Sequence, residues 1–196
     1  MMRKIGIMGG TFDPIHIGHL IAASRAMESA SLDEVWFIPA ASPPLKPNSP
    51  LATEQQRLEM VKLATQHEPR FRVLDIELNR GGISYSIDTV MDLLEQYAGH
   101  YFYYIVGSDR IHDLPQWHRA EELLQLIGFV GLNRPSEPLD LLRLPERWRQ
   151  KLTLASMPLI DISSTELRKR AKEGLPLRYY VTDEVEQYIR RFRLYG

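Results

Sequence analysis

A pair of glycines and a pair of histidines stand close together near the start of the sequence, as Gly9-Gly10-Thr11-Phe12 followed by His16 and His19. An apolar run at 4–8 ends at the glycines, and a helical pattern resumes near His19. Glycines after a strand allow a tight turn with exposed amides, and the following helix N-terminus favours anions. Because the histidines are three positions apart, both rings can direct N–H donors at one anion. The segment predicts a phosphate-binding turn.

Two histidines on one helix face have alternative explanations, an ordinary buried pair or a metal pair. Zinc would need a third ligand, and the sequence contains no cysteine. The segment also lacks the Gly-x-Gly-x-x-Gly of dinucleotide-binding turns and the Gly-Lys-Ser/Thr of P-loops. The glycine turn therefore favours phosphate, and no resident metal site is predicted.

Three hydroxyl residues form a second candidate site at the start of a predicted helix: Ser163, Ser164 and Thr165, with Arg168 one turn later. An N-cap explains one of the three hydroxyls. Helix-terminal amides, hydroxyls and a guanidinium that binds oxygens in bidentate fashion would together hold a polyphosphate. Capping alone remains the alternative.

The elements that position these motifs alternate between strands and helices. Strands are predicted at 4–8, 35–39, 71–78, 101–106, 128–132 and 151–155, and helices at about 19–27, 53–66, 84–97, 119–127, 163–172 and 182–193. The segment 41–50 contains four prolines and is predicted to be a loop, because proline lacks an N–H and has a fixed φ.

This alternation predicts an α/β fold, a Rossmann-like doubly wound, mainly parallel sheet with helices on both faces and a small C-terminal helical part at about 163–196. The first 39 residues have the order of a right-handed βαβ unit. The length of 196 residues predicts a single domain, 1–196. Ligands of such sheets bind beyond the carboxyl ends of the strands.

Composition excludes several classes of protein. Hydrophobic residues at 44% and charged residues at 25% exclude a disordered chain. Lys and Arg (24) nearly balance Asp and Glu (25), so no net field favours a nucleic-acid or membrane partner. No signal peptide or membrane-spanning run is recognised, and the lack of cysteine suits a reducing compartment. We expect a cytoplasmic protein, with a homo-oligomer left open.

The segments GGTFDPIHIGH (9–19) and ISSTELR (162–168) resemble the paired signatures of the nucleotidylyltransferase superfamily. The chain is similar from end to end to the bacterial nicotinate mononucleotide adenylyltransferase family, because five intermediate segments follow the family's order and spacing: PPLK (43–46), GGISYSIDT (81–89), GSD (107–109), LPQWH (114–118) and GLNRP (131–135). The resemblance implies adenylyl transfer from ATP to nicotinate mononucleotide in NAD biosynthesis. The products would be nicotinate adenine dinucleotide and pyrophosphate, formed by in-line attack without a covalent enzyme intermediate.

The resemblance also implies roles for individual residues. His16, His19 and Arg168 would be catalytic. Residues implied to bind ATP are Gly9, Gly10, Thr11, Phe12, Gly107, Asp109, Ser163, Ser164 and Thr165, with Asp109 on a ribose hydroxyl. Residues implied to bind nicotinate mononucleotide are Lys46, Ser84, Tyr85, Ser86, Trp117 and Arg134. Trp117 would stack on the pyridine ring, the main chain at 84–86 would receive its carboxylate, and Mg²⁺ would be delivered with ATP.

One physical argument supports the acid substrate over its amide. The turn at 81–86 opens a helix, and amides at a helix N-terminus prefer an anion to a neutral group. Alternative acceptors are nicotinamide mononucleotide, phosphopantetheine and alcohol phosphates, and a non-catalytic nucleotide sensor would share the fold. Without the resemblance, Trp117 is an ordinary half-buried tryptophan, Lys46 and Arg134 are solvated charges and Asp109 is a turn residue.

Overall fold

The computed structural model describes residues 2–42, 50–133 and 140–196, and in those ranges it contains a six-stranded parallel sheet of order β3-β2-β1-β4-β5-β6. The strands are β1 Lys4–Gly10, β2 Glu34–Pro39, β3 Phe71–Val73, β4 Tyr101–Gly107, β5 Gly128–Asn133 and β6 Leu152–Ser156. This is the strand order of a doubly wound sheet, in which the order reverses between β1 and β4 and leaves a crevice at their carboxyl ends. The predicted fold class is confirmed.

Helices connect the strands on both faces of the sheet. They are α1 Ile17–Ala30, α2 Glu54–Thr65, α3 Ile76–Arg80, α4 Ser86–Gln96, α5 Ser108–Ile111, α6 Ala120–Leu126, α7 Glu146–Arg149, α8 Ser164–Lys172 and α9 Asp183–Arg191, with 3₁₀ turns at Leu114–Gln116 and Leu141–Arg143. In the part of the chain that is described, no helix is long and apolar enough to cross a membrane.

Side-chain caps begin three of the predicted helices where the sequence placed them. Thr53 Oγ1 accepts a hydrogen bond from the Gln56 amide at 3.3 Å, and Gln56 Oε1 accepts one from the Thr53 amide at 2.9 Å. Ser163 and Thr182 cap α8 and α9 by accepting from the amides of Glu166 and Val185, respectively. A cap of this kind stabilises a helix by about 1 kcal/mol, since it satisfies an amide that has no intrahelical acceptor.

Each face of the sheet carries its own apolar core, because successive strand residues point to opposite faces. In β2, for example, Val35 and Phe37 lie in the core with α1 and α2, whereas Trp36 and Ile38 lie in the core with α4 and α6. Leu167 of α8 belongs to the first core. The C-terminal helices therefore pack on the face that also holds α1.

The strand predicted at 71–78 is wrong beyond its first three residues. The chain pairs with β2 over Phe71–Val73 and then forms α3, which ends at Gly81 with φ of 69°. Apolar residues at 71 and 73, and again at 74, 76 and 78, alternate as in a strand, but β3 is an edge strand and pairs with β2 only over Phe71–Val73. The predicted loop 41–50 lies largely outside the described residues.

Candidate active site

Two cavities open at the carboxyl ends of β1 and β4 and meet at Gly9, Thr11 and Gly107. We name the first, of about 660 Å³, the histidine cavity because His16 and His19 line it. The second, of about 770 Å³ and lined by Trp117, is the tryptophan cavity. Their common edge lies where the strand order reverses, which is where open α/β sheets bind ligands.

The residues predicted from sequence divide between the cavities. The histidine cavity is lined by Gly9, Thr11, His16, His19, Gly107, Asp109, Ser163, Ser164, Thr165 and Arg168. The tryptophan cavity is lined by Gly10, Ser84, Tyr85, Ser86 and Trp117, and it shares Gly9, Thr11 and Gly107. Lys46 and Arg134 lie outside the described residues. Most residues implied to bind ATP therefore line the histidine cavity, and the described residues implied to bind the acceptor line the tryptophan cavity. The two cavities adjoin where the reacting groups of ATP and acceptor would have to meet.

Close contacts explain the two glycines of the first turn. A Cβ on Gly9 would lie 2.4 Å from the Tyr104 hydroxyl oxygen, and a Cβ on Gly10 would lie 2.9 Å from the Phe12 ring. Phe12 has a positive φ of 50°, and its ring is 3% exposed. Phe12 therefore belongs to the core beneath the site and, unlike the other residues implied to bind ATP, it lines neither cavity.

The two histidine rings form a stacked pair at the start of α1. Their centroids are 3.7 Å apart at 28°, and the Phe12 ring meets His19 edge-on at 5.1 Å. The His16 amide donates to His19 Nδ1 at 3.2 Å. Because Nδ1 accepts this bond, the neutral His19 ring carries its hydrogen on Nε2 and presents an N–H donor there. Both rings line the histidine cavity beside a helix terminus that favours negative charge.

The three hydroxyls at the start of α8 have different partners. Ser163 Oγ accepts from the Glu166 amide at 3.2 Å, and Thr165 Oγ1 accepts from Arg168 Nη2 at 3.2 Å. Ser164 Oγ donates to the Pro14 carbonyl at 2.9 Å, which ties α8 to the first turn. Since Ser163 and Thr165 act as acceptors in these bonds, their O–H groups suit a phosphate oxygen. Capping accounts for Ser163 alone, as the sequence suggested.

A buried carboxylate that the sequence analysis missed lies behind Arg168. Asp13 is 4% exposed, and its carboxylate accepts from the amides of Leu51 (2.9 Å) and Ala52 (3.2 Å) and from the Tyr195 hydroxyl (2.8 Å). Arg168 Nη1 donates to the Asp13 carbonyl at 2.8 Å and lies 3.9 Å from Oδ2. The only sequence signal was the position of Asp13 inside the first motif.

A second buried charge, also missed, supports the glycine turn from α2. Arg57 is 1% exposed, and its Nη1 donates to the Thr11 carbonyl at 2.7 Å. Burial lowers the pKa of the Arg57 guanidinium, while the nearby Asp13 carboxylate acts in the opposite direction. A buried guanidinium from α2 therefore holds the glycine turn that lies between the two cavities.

Aromatic side chains flank the tryptophan cavity. Trp117 meets Tyr104 at 85° with centroids 5.5 Å apart, and Tyr85 packs on His118 at 4.2 Å and 30°. All four side chains line this cavity. Trp117 Nε1 is buried with no hydrogen-bond partner among the described residues. Flat aromatic faces of this kind suit a planar ring.

The predicted main-chain donors at 84–86 are not equivalent. The Ser84 amide donates to the Ser42 carbonyl at 3.0 Å, and the Tyr85 amide donates to the Ile83 carbonyl at 3.2 Å. The Ser84 hydroxyl accepts from the Ala41 amide at 3.0 Å. Ser86 is the first residue of α4, where an amide has no intrahelical acceptor. Of these three amides, that of Ser86 is the best placed for an anion.

Glu77 is a third buried residue that the sequence analysis missed, and it also lines the tryptophan cavity. It is 3% exposed and accepts from the Thr89 hydroxyl at 2.7 Å. Burial raises the pKa of Glu77, and burial together with the charge of Glu77 raises the pKa of Tyr104. The raised pKa of Glu77 favours its uncharged form, which does not repel an anionic ligand. An acid inside the apolar run at 71–78 was the available signal.

Asp109 lies at the start of α5 and lines the histidine cavity. Its side chain is 60% exposed and folds over Gly107, where a Cβ would lie 2.6 Å from Oδ1. Arg110 Nε is 3.7 Å from the Asp109 carboxylate. The exposed carboxylate at the mouth of the cavity suits a sugar hydroxyl. Among the described residues, no three His, Asp or Glu side chains are grouped to hold a metal ion.

Comparison with known proteins identifies the family. A family model described as Cytidylyltransferase-like matches residues 7–170. The probable nicotinate-nucleotide adenylyltransferase of Oceanobacillus iheyensis is 42% identical over 195 residues, covering 100% of this chain and 98% of that protein. The nicotinate-nucleotide adenylyltransferase of Bacillus subtilis is 40% identical over 194 residues, covering 99% of each. The chain belongs to the nicotinate-nucleotide adenylyltransferase family.

Solved structures of the family share this fold. The Plasmodium falciparum nicotinic acid mononucleotide adenylyltransferase complexed with NaAD has a TM-score of 0.81 at 22% identity, covering 98% of this chain and 97% of that chain. The family and the nucleotidyltransferase class predicted from the motifs are confirmed. The roles of individual residues within the two cavities stay predictions.

Proposed function

We propose that this chain transfers the adenylyl group of ATP to nicotinate mononucleotide, giving nicotinate adenine dinucleotide and pyrophosphate in NAD biosynthesis. The observation that carries the proposal is the pair of cavities joined at Gly9, Thr11 and Gly107. One contains donors suited to phosphates, and the other contains aromatic faces suited to a pyridine. ATP would occupy the histidine cavity and the acceptor the tryptophan cavity, with the α-phosphate at their junction.

The reaction needs positioning and charge compensation rather than a protein nucleophile. An oxygen of the acceptor phosphate attacks the α-phosphorus of ATP in line, and the bond to pyrophosphate breaks on the opposite side. The attacking oxygen is already anionic, so no general base is required, and because it attacks ATP directly, no covalent enzyme intermediate forms. His16, His19 and Arg168 would donate to phosphate oxygens on which negative charge develops, and the amides of the glycine turn would hold the chain of phosphates.

Mg²⁺ would arrive bound to the ATP phosphates as part of the substrate. The described residues offer no grouped carboxylates for a resident ion, and Mg²⁺ in nucleotide sites is commonly held by phosphates and water. In this arrangement the protein contributes hydrogen-bond donors and shape, and the ion contributes charge neutralisation.

Preference for the acid acceptor would come from the start of α4. The Ser86 amide lies in the first turn of α4, and a helix N-terminus favours an anion over a neutral amide group. Trp117 would stack on the pyridine ring beside Tyr104. The Plasmodium falciparum enzyme supports this acceptor, since it was solved with NaAD; a second structure, complexed with the ATP analogue APC, supports ATP as the donor. Cytoplasmic location and the absence of nucleic-acid or membrane partners stay predictions from composition.

The test is pyrophosphate release from Mg²⁺-ATP, measured in parallel with nicotinate mononucleotide and nicotinamide mononucleotide. Strong preference for the acid is expected. Preference for the amide would retain the phosphate chemistry but contradict the role of the α4 terminus. No release with either acceptor, together with measurable ATP binding, would favour a nucleotide sensor or another phosphorylated acceptor such as phosphopantetheine.

A matched pair of variants locates the acceptor. Trp117→Ala removes the predicted stacking face and is expected to raise KM for nicotinate mononucleotide more than KM for ATP. The control is Phe192→Ala, which removes an exposed aromatic ring that does not line the tryptophan cavity. Trp148→Ala would be a poor control, because that ring is fully buried. Equal effects on both KM values would contradict the assignment of Trp117 to the acceptor.

A further inference from the structure

Tyr195, which follows α9, reaches the wall of the histidine cavity through its hydroxyl group. This hydroxyl donates to Asp13 Oδ1 at 2.8 Å. The chain turns back after α9 through left-handed conformations at Arg193 (φ 49°) and Tyr195 (φ 70°). Residues other than glycine adopt this conformation at a cost, so tertiary contacts must hold the turn. The contact with Asp13 is one of them.

The Asp13 carboxylate lies between neutral donors and a guanidinium. The amides of Leu51 and Ala52 and the Tyr195 hydroxyl satisfy it at 2.8–3.2 Å. Arg168 Nη1 remains 3.9 Å from Oδ2 and donates instead to the Asp13 main-chain carbonyl at 2.8 Å. Neutral donors therefore make the close bonds to this carboxylate, and Arg168 is not drawn into a close ion pair with it.

Removing one neutral donor would change this balance. A carboxylate that loses a hydrogen bond in a buried site seeks another donor, and a bond from a charged guanidinium is stronger than one from a neutral group. The Tyr195 hydroxyl bonds to Oδ1, and Arg168 Nη1 lies 3.9 Å from Oδ2 of the same carboxylate. Arg57, whose charge also acts on Asp13, is held by its bond to the Thr11 carbonyl at 2.7 Å. The Arg168 side chain would shift toward Asp13 and away from the histidine cavity.

We propose that Tyr195 is a positioning residue, whose hydroxyl occupies Asp13 and so keeps Arg168 available for the phosphates of ATP. The proposal rests on the proposed function, in which Arg168 binds those phosphates. It assigns Tyr195 an effect on nucleotide affinity although the residue does not line either cavity.

The test begins with Tyr195→Phe, which retains the ring and removes the hydroxyl. Loss of one hydrogen bond is a small change, and thermal unfolding verifies that the variant is folded. Calorimetric titration with Mg²⁺-ATP in the absence of acceptor is expected to give a Kd raised roughly fivefold, the equivalent of one hydrogen bond. KM for nicotinate mononucleotide should change little. Tyr188→Phe is the matched control. Tyr188 lies in α9 and packs on Phe192, the residue that follows the helix, and it makes no hydrogen bond to Asp13 among the described residues.

A double-mutant cycle separates positioning of Arg168 from a general structural role. Tyr195→Phe is expected to have no further effect on the Kd for ATP in the Arg168→Ala background, because no guanidinium remains to be displaced. An equal loss of affinity in both backgrounds would overturn the proposal, since a structural defect would persist without Arg168.

The same cycle distinguishes failure of this inference from failure of the proposed function. If Arg168→Ala weakens ATP binding but Tyr195→Phe alone does not, the positioning role is refuted and the role of Arg168 stands. If Arg168→Ala binds ATP as tightly as the unaltered chain, the assignment of Arg168 to the phosphates is itself refuted.

Discussion

Gly9→Ala tests whether the junction of the two cavities depends on close approach of the Tyr104 hydroxyl to the backbone. The added Cβ would lie 2.4 Å from that oxygen, whereas ordinary contact needs about 3.4 Å, so the atoms must separate by about 1 Å. Tyr104 is 9% exposed and packs against Trp117, which restricts its movement. Overpacking of this kind costs about 1–3 kcal/mol.

For a chain of this length, about 1 kcal/mol lowers Tm by roughly 2–4 °C, so we expect a decrease of about 2–12 °C. Tyr104→Phe should relieve the defect, because the next atom, Tyr104 Cζ, would be 3.3 Å from the new Cβ, a tight but tolerable contact. Urea unfolding of the unaltered chain, both single variants and the double variant measures this coupling. A favourable coupling of about 1 kcal/mol or more is expected.

Strict additivity of the two substitutions would refute the reasoning, because it would mean that the methyl group does not meet the hydroxyl. Kinetics give a second measurement. If Tyr104 moves to accommodate the methyl group, it moves into the tryptophan cavity, and KM for the acceptor should rise in Gly9→Ala and recover in the double variant.

His19→Ala is expected to lower kcat by about 10²–10³ while Tm is retained, because one preorganised phosphate donor is lost; His67→Ala, at an exposed histidine outside both cavities, is the control, and near-normal turnover of the folded His19 variant would contradict its role. Arg57→Met should destabilise the chain by about 1–3 kcal/mol in urea unfolding, because the Thr11 carbonyl loses its guanidinium donor, and a loss below about 0.5 kcal/mol would argue against that support of the glycine turn. Burial raises the pKa of Glu77 in the folded chain above its ordinary value of 4.5. Below pH 4.5 the glutamate is protonated in both the folded and the unfolded chain and does not lower stability, and stability falls as the pH rises from 4.5 through the folded pKa. Glu77→Gln should therefore gain stability relative to the unaltered chain as the pH rises above 4.5, and a pH-independent difference would exclude the shift.

Local patterns were enough to predict most of the elements. The starts of α2, α8 and α9 were predicted from Thr53, Ser163 and Thr182, because a cap and its amide lie within three residues of each other. Buried strands were recognised by apolar runs that end at glycine or polar residues. The prediction of a strand over all of 71–78 was wrong for a non-local reason, since the length of an edge strand depends on how much of the neighbouring strand is available for pairing.

Buried charges were the main omission from the predicted site. Asp13, Arg57 and Glu77 look like surface residues in sequence, because polar side chains are ordinarily exposed. Their burial depends on segments far away in the chain: Tyr195 lies 182 positions from Asp13, and Thr11 lies 46 positions from Arg57. Spacing alone does not reveal which of these groups will meet.

The sequence by itself determined which candidate groups make up each half-site, because the glycine turn and the two histidines are neighbours along the chain, as are the hydroxyls and Arg168 of α8. Only the tertiary structure decided that these halves face one cavity, since the Ser164 hydroxyl meets the Pro14 carbonyl across 150 positions. The physical reason is the strand order. Parallel pairing of β1 with β4 brings the carboxyl ends of distant strands to one edge, and that pairing depends on non-local hydrogen bonds and on the burial of two separate cores.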